Sequence, residues 1–141
     1  MAYSIDNVCS FSIDTSIPCL LIQWHGYATS TQLRQLAENQ IELMRQHKLT
    51  KVLSDNTHAR MVSMEDQRWI AEDWLPRVLA IGYEACAIIT SKDYFAQMSF
   101  ENIVTNIGDQ LTIQYFDDIE SAREWLANYP SRATTADPEQ G

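Results

Sequence analysis

Ala85-Cys-Ala-Ile-Ile-Thr90 is the stretch that decides the architecture. It is a continuous apolar run of strand length without polar alternation. A strand of that kind is covered on both faces, as in a sheet with helices packed against it. On its N-terminal side, Ser63 with Asp66 three residues on reads as a helix cap with an acidic first turn. The helix then runs through Trp69, Ile70, Trp74, Val78 and Ile81 to Gly82 at its C-terminal cap. Pro76 lies inside it. Proline removes the bond to the carbonyl of Glu72 and clashes with that turn, so the pattern predicts a kink or a break into two helical pieces. On the C-terminal side follow the segment Asp93 to Met98, a helix from Phe100 to Ile107 capped by Ser99, a strand Leu111 to Phe116 and a helix Asp118 to Tyr129.

Further out, Lys51 to Ser54 forms a short strand ending in Asp55-Asn56, and Thr57 to Val62 has no period and reads as a loop. Thr29-Ser-Thr-Gln32 is a capping box. Beyond it Leu33, Leu36, Ala37, Ile41 and Met44 recur at helical spacing up to His47. Residues 3–13 alternate, with Tyr3, Ile5, Cys9, Phe11 and Ile13 on one face, and after a turn Pro18 opens a second run from Cys19 to His25. Pairing the two as a hairpin sets Phe11 near Leu20 and Cys9 near Ile22. Helix and strand alternate after that hairpin. The expected fold is α/β, a mixed sheet of about five strands opening with a β-hairpin and carrying about four helices. It forms one domain over residues 1–129. Residues 130–141 lack apolar side chains larger than Ala and read as a flexible C-terminal tail.

With 141 residues, 45% hydrophobic and 21% charged, the composition is that of a globular protein able to bury its own core. Its net charge of −9 opposes phosphate backbones and argues against a nucleic-acid partner. The acidity is uneven: seven acids against six bases in residues 1–70, and twelve against four in residues 71–141. A binding face near Arg60 and Arg68 would therefore lie on the less acidic side. The longest nearly apolar stretch, Val78 to Thr90, is interrupted by Gly82 and Glu84. It falls short of the roughly 18–20 residues of a membrane span. The N-terminal Met-Ala-Tyr-Ser-Ile-Asp has no basic or apolar leader character, so a cytoplasmic location is expected. Cys9, Cys19 and Cys86 are odd in number and lack CxxC spacing, which favours buried thiols over disulfides or zinc.

No dinucleotide fingerprint, phosphate-binding loop, nucleophile elbow or HExxH motif is present, so no catalytic residue, metal or cofactor is assigned. His25, His47 and His58 are not spaced as ligands on one element. Trp69 and Trp74 serve either as core or as an interface or ligand wall. The acidic pairs Glu65-Asp66, Glu72-Asp73 and Asp117-Asp118 read as solvated helix starts. What remains is the loop from Ser54 to Ser63, where Asp55, Asn56, Thr57, His58, Arg60 and Ser63 gather between a strand end and a helix start. Ligands collect at that edge of open α/β sheets, although Asp and Asn also make ordinary turns.

Three segments carry a family resemblance: Leu53-Ser-Asp-Asn56, Glu65-Asp-Gln-Arg-Trp-Ile-Ala-Glu-Asp-Trp-Leu-Pro-Arg77, and Tyr115-Phe-Asp-Asp-Ile-Glu-Ser-Ala-Arg-Glu-Trp-Leu126. From Tyr3 to Tyr129 the chain resembles the STAS-like family, small domains akin to bacterial anti-sigma-factor antagonists of the SpoIIAA type. The middle segment is similar to a subgroup of uncharacterised bacterial proteins frequent in Bacteroidetes. The resemblance implies a mixed sheet with helices mainly on one side, no enzymatic activity and a role in protein association. Related folds of the CRAL-TRIO type bind lipids or other apolar ligands. Antagonists of the family carry a phosphorylatable serine in an Asp-Ser-Ser-Gly-like sequence. Here the corresponding place reads Val62-Ser63-Met64-Glu65-Asp66, without the second serine and the glycine. Ser63 is thus either a phosphoacceptor, opposed by Glu65 and Asp66, or a plain cap.

The expectation is a non-catalytic regulatory or interaction module that binds a protein partner or a second copy of itself. Its contact residues would be Asp55, Asn56, His58, Arg60, Trp69 and Trp74. The alternative is a carrier of a small apolar ligand or lipid, its cavity bounded by Met61, Trp69, Trp74, Phe95 and Met98. Acid-base chemistry by Asp55, His58 and Arg60 ranks third and requires them to converge.

Overall fold

The computed structural model describes residues 4–131. Its sheet has five strands in the order of the sequence: β1 (Cys9–Asp14), β2 (Cys19–Trp24), β3 (Lys51–Asp55), β4 (Ala85–Ile89) and β5 (Thr112–Phe116). β1 and β2 are antiparallel and the later neighbours are parallel, so the sheet is mixed. Four helical units connect or follow them: α1 (Ser30–His47), a composite unit over residues 64–80, α4 (Tyr94–Ile107) and α5 (Ile119–Asn128). Each parallel crossover advances one strand in the same direction, and connections of one hand then put their helices on one face. α5 has no strand to return to and packs on the opposite face against β3 and β4.

β4 is buried at all five positions, as its unbroken apolar run requires. Cys86 and Ile88 join the larger core beneath α1, the composite helix and α4, whereas Ala85, Ala87 and Ile89 join Ala122 and Leu126 of α5.

The composite helix comprises α2 (Met64–Trp69), a π-helical turn over Ile70–Trp74 and α3 (Leu75–Ala80). The π turn explains how Pro76 is accommodated. The Leu75 amide donates to the Ile70 carbonyl, one residue further back than in an α-helix. The proline, which has no N–H, then stands in the first turn of α3, where none is needed. α1 begins with the complete capping box: Gln32 N–H donates to Thr29 Oγ1 (3.1 Å) and Thr29 N–H to Gln32 Oε1 (3.0 Å).

Three expectations are corrected. Phe11 pairs with Ile22 and Cys9 with Trp24, two residues from the expected register, because the turn takes in Thr15 to Pro18. A two-residue slip keeps every side chain on its face, so the alternation could not reveal it. The expected first strand also starts too early. Asn7, at φ 65°, closes a tight turn in which Val8 and Cys9 amides both donate to the Ile5 carbonyl. Tyr3 lies outside the described residues. Finally, α4 is one helix capped by Asp93, whose Oδ1 accepts from Phe95 and Ala96 amides. Ser99 is buried within it, donating to the Ala96 carbonyl (2.7 Å) and accepting the Val62 amide (3.1 Å).

At the C-terminal end Ser131 is buried and its hydroxyl meets Thr50 Oγ1 at 3.2 Å. The remainder of the expected tail, residues 132–141, lies outside the described residues. Lys51, buried at the start of β3, donates to the Leu126 and Tyr129 carbonyls at 2.7 and 2.8 Å. Its ammonium thereby meets the negative end of α5, although burial lowers its pKa.

Candidate functional site

The carboxyl ends of β2, β3 and β4 open onto one edge of the sheet, where residues 25–29, 56–63 and 90–93 meet. The middle segment is tied down by its neighbours. Asn56 N–H donates to the Ile89 carbonyl, Lys92 N–H to the Thr57 carbonyl (3.2 Å), and Ser91 Oγ to the Ala59 carbonyl (3.2 Å). Asp55 Oδ1 accepts both the amide and the hydroxyl of Thr57, making a local turn. Asn56 is buried and accepts the Ser54 hydroxyl at 2.7 Å. These two residues shape the loop from within.

His58 and Arg60 point outward instead. With His25, Gly26, Tyr27, Thr57, Ala59, Lys92 and Asp93 they line an open cleft of about 570 Å³. Arg60 Nη1 lies 3.2 Å from Asp93 Oδ2. The Ala96 and Phe95 amides, with Arg60, hold the Asp93 carboxyl below the usual carboxylate range. The wall at Gly26 needs a glycine: a Cβ there would sit 2.7 Å from the Asn7 carbonyl oxygen.

Ser63 caps α2, accepting the Asp66 amide at 3.1 Å, and is exposed. Asp66 itself is buried and held by the Ser30 hydroxyl (2.6 Å) and by Arg34 (3.2 Å). It is therefore a tether between α2 and α1 and not a solvated helix start, as its place beside Glu65 suggested. Trp69 is half-buried beneath the Arg34 guanidinium, 5.1 Å from its ring centroid. Trp74 is buried and donates Nε1–H to the Ala37 carbonyl at 3.0 Å.

Beneath the edge, between the sheet and its three covering units, lies a mostly apolar cavity of about 150 Å³. Trp74 lines it together with Phe11, Ile22, Ile70, Phe100 and Val104, and Asn56 and Ser54 reach its upper end. Of the five residues expected to bound a ligand cavity, only Trp74 does so. Met61, Phe95 and Met98 are exposed, because they occupy the loop and the outer first turns of α4. Gln40, Tyr83 and Cys86 supply further polar groups to the lining. Burial pushes the Tyr83 hydroxyl well up and the Cys86 thiol up to about 11. Cys9 and Cys19 are likewise buried, with thiols at about 12 and about 11. None of these thiols is poised as a thiolate nucleophile.

The structure thus brings His58 and Arg60 into one cleft and separates them from Asp55, Asn56 and Trp74. His25, Tyr27 and Lys92 were missed. Each lies just after a strand of the parallel set as His58 and Arg60 lie after β3, so applying the carboxyl-edge rule to all three strands would have found them.

The family model described as SpoIIAA-like matches residues 19–127. The chain belongs to the SpoIIAA-like family. A solved structure with this fold, an uncharacterised protein of the DUF3478 family from Shewanella loihica PV-4, is similar at TM-score 0.60 and 19% identity. The alignment covers 89% of this chain and 98% of that one. No curated protein matches the sequence. No helix among the described residues of this SpoIIAA-like chain is long and apolar enough to cross a membrane.

Proposed function

We propose that the chain is a non-catalytic interaction module of the cytosol that docks a partner protein on the carboxyl edge of its parallel strands. One observation carries this reading. Six of the seven large apolar side chains exposed among the described residues lie at or next to that edge: Tyr27 and Met61 in its loops, and Met64, Tyr94, Phe95 and Met98 in the first turns of α2 and α4 that follow them. The Val62–Ser99 hydrogen bond ties the start of α2 to α4, the two helices whose first turns carry four of these side chains. Flexible thioethers beside rigid rings suit an apolar protrusion on a partner. Ser63 stands within this surface, so phosphorylation there would place about two negative charges on the docking face.

The test is affinity capture from extracts of the source organism, with wild-type chain and with Met64→Asp/Phe95→Asp, read by quantitative mass spectrometry and by the mass of the purified chain. A protein retained by the wild type and lost with the variant is expected. A self-dimer dissociated by the variant would make the partner a second copy. An unchanged set of retained proteins and an unchanged mass would overturn the reading.

The cavity favours a narrower form of the alternative. At about 150 Å³ it lies below the roughly 300–1,000 Å³ of drug-sized sites, and an apolar void of that size takes a benzene-sized molecule. A small apolar compound suits it better than a lipid. Heteronuclear spectra in xenon- or benzene-saturated buffer test this, with shifts expected at Val104 and Ile113. Spectra that do not change would remove it.

A further inference from the structure

The edge of the sheet concentrates positive charge in a molecule that has little. The chain has ten Lys and Arg and three His against nineteen acids. Its cleft nevertheless gathers His25, His58, Arg60 and Lys92 around a single carboxylate, Asp93. That carboxylate is fully used. Oδ1 accepts the two amides that open α4, and Oδ2 holds one nitrogen of Arg60. Asp93 therefore fixes the guanidinium at the cleft while leaving its other N–H donors free for a ligand. Arg34, Arg45, Arg77 and Arg123, in contrast, pair with acids elsewhere. Lys92 makes no ion pair among the described residues, although its backbone is pinned by the Thr57 carbonyl. Even with both imidazoles neutral, the lining carries one more positive than negative charge.

The shape also matters. The cleft is concave, about 570 Å³, within the range of small-molecule sites, and its walls come from three connections fixed by backbone hydrogen bonds. The His25 and Gly26 amides both donate to the Val8 carbonyl, which holds the third wall in place. A cationic recess of this kind focuses field lines and draws anions in despite the overall negative charge.

We infer that the cleft between His25, His58, Arg60 and Lys92 is a binding site for a small, multiply charged anion, a phosphate or polycarboxylate group. Arg60 supplies a directional fork and Lys92 a mobile point charge. The two imidazoles complete the rim. The site adjoins the proposed docking face, sharing only Tyr27 with it, and its charged groups do not depend on that face.

The test titrates the 15N-labelled full-length chain with inorganic phosphate, and separately with succinate, at constant ionic strength set by sodium chloride. Saturable amide shifts confined to residues 25–27, 57–60 and 92–93 are expected with at least one anion, and the arm that responds identifies the group. Arg60→Gln and Lys92→Gln should each weaken binding about tenfold, the loss of one charge-assisted hydrogen bond. Arg45→Gln, on α1, should leave binding unchanged. Lys92→Gln breaks no ion pair of the fold, so a fault in Arg60→Gln folding would not obscure the result. Shifts that fail to saturate, that spread equally to Arg45 and Lys48, or that persist unchanged in both cleft variants would overturn the assignment.

Discussion

The two faces of the sheet are built differently, although β4 serves both. Toward α5 it presents Ala85, Ala87 and Ile89, and α5 answers with Ala122 and Leu126. Ala85, Ala87 and Ala122 let one helix approach closely, and Leu53, Ile89 and Leu126 fill the space beside them. Toward the other face β4 presents Cys86 and Ile88 among large side chains from β1, β2 and β5, roofed by three helical units. Those units arrive separately, one of them through a π turn, and their bulky side chains do not close over the sheet. The residual volume of about 150 Å³ lies there. Close packing comes easily where one helix meets the strands through alanines on both sides. Where several elements must agree, it leaves room.

The largest expected effect bears on the roofed face. Trp74→Ala removes a buried indole that fills one side of the cavity and donates to the Ala37 carbonyl. It should lower the unfolding free energy by about 3–5 kcal/mol in urea denaturation. Trp69→Ala, half-buried under Arg34, should cost well under half of that. Equal losses would mean that the roof is not anchored where the structure puts its anchor. Next, Ala87→Val adds two methyl groups at a fully buried position against α5. Overpacking there should cost about 1–3 kcal/mol by thermal and urea unfolding. A neutral Ala87→Val would show that the α5 face has slack, and the contrast between the faces would fail.

This contrast was only half legible in the sequence. The unbroken run at 85–89 announces two covered faces, and the cap residues Thr29 and Ser63 are local hydrogen-bonding signals that the structure keeps in place. Pro76 likewise marks a break from its own chemistry. What local patterns do not carry is register and convergence. The hairpin turn spans Thr15 to Pro18, a register two residues away that alternation cannot detect. Ser99 resembles a cap because serine often is one, yet its partner, the Val62 amide, lies 37 residues away. The cleft draws on loops after three strands, and a single loop held only His58 and Arg60 of its basic groups. Asp66 and Arg34, separated by 32 residues, were invisible as a pair for the same reason.

Smaller effects sharpen the contrast from the other side. Val104 borders the cavity, so Val104→Ile places its extra carbon in vacant space. It should leave stability unchanged or raise it by up to about 1 kcal/mol, the opposite sign from Ala87→Val. Tyr115→Phe asks a related question. This buried hydroxyl has no hydrogen-bond partner among the described residues, and burial pushes its pKa up to about 12. Removing it should be neutral or mildly stabilising, because no bond is lost and a desolvated polar atom disappears. A loss above about 1 kcal/mol in urea unfolding would indicate a partner for that oxygen.

A comparably small effect lies outside the roof, where α1 is held to the composite helix. Arg77 of α3 makes a bidentate pair with Glu38 of α1, at 2.8 and 2.6 Å, and also reaches Asp73 at 3.2 Å. The hydrogen bonds from Arg77 hold the Glu38 carboxyl below its usual range. Because the folded pKa is the lower one, the contribution is present in full above the ordinary carboxylate value and is lost as pH falls through the folded value. Both side chains are nearly half exposed, so the pair is screened and worth only about 0.2–1 kcal/mol. Glu38→Gln should therefore be less stable than the wild type by that amount at neutral pH. The two unfolding curves should converge below the carboxylate range and also as salt is raised at neutral pH. If the difference persisted at acid pH, Glu38 would act through packing on α1 and not through its charge. α5 makes its own exposed pair, Arg123 with Asp14 of β1. Arg123→Gln should show no such coupling to the roof, since its partner lies across the other face.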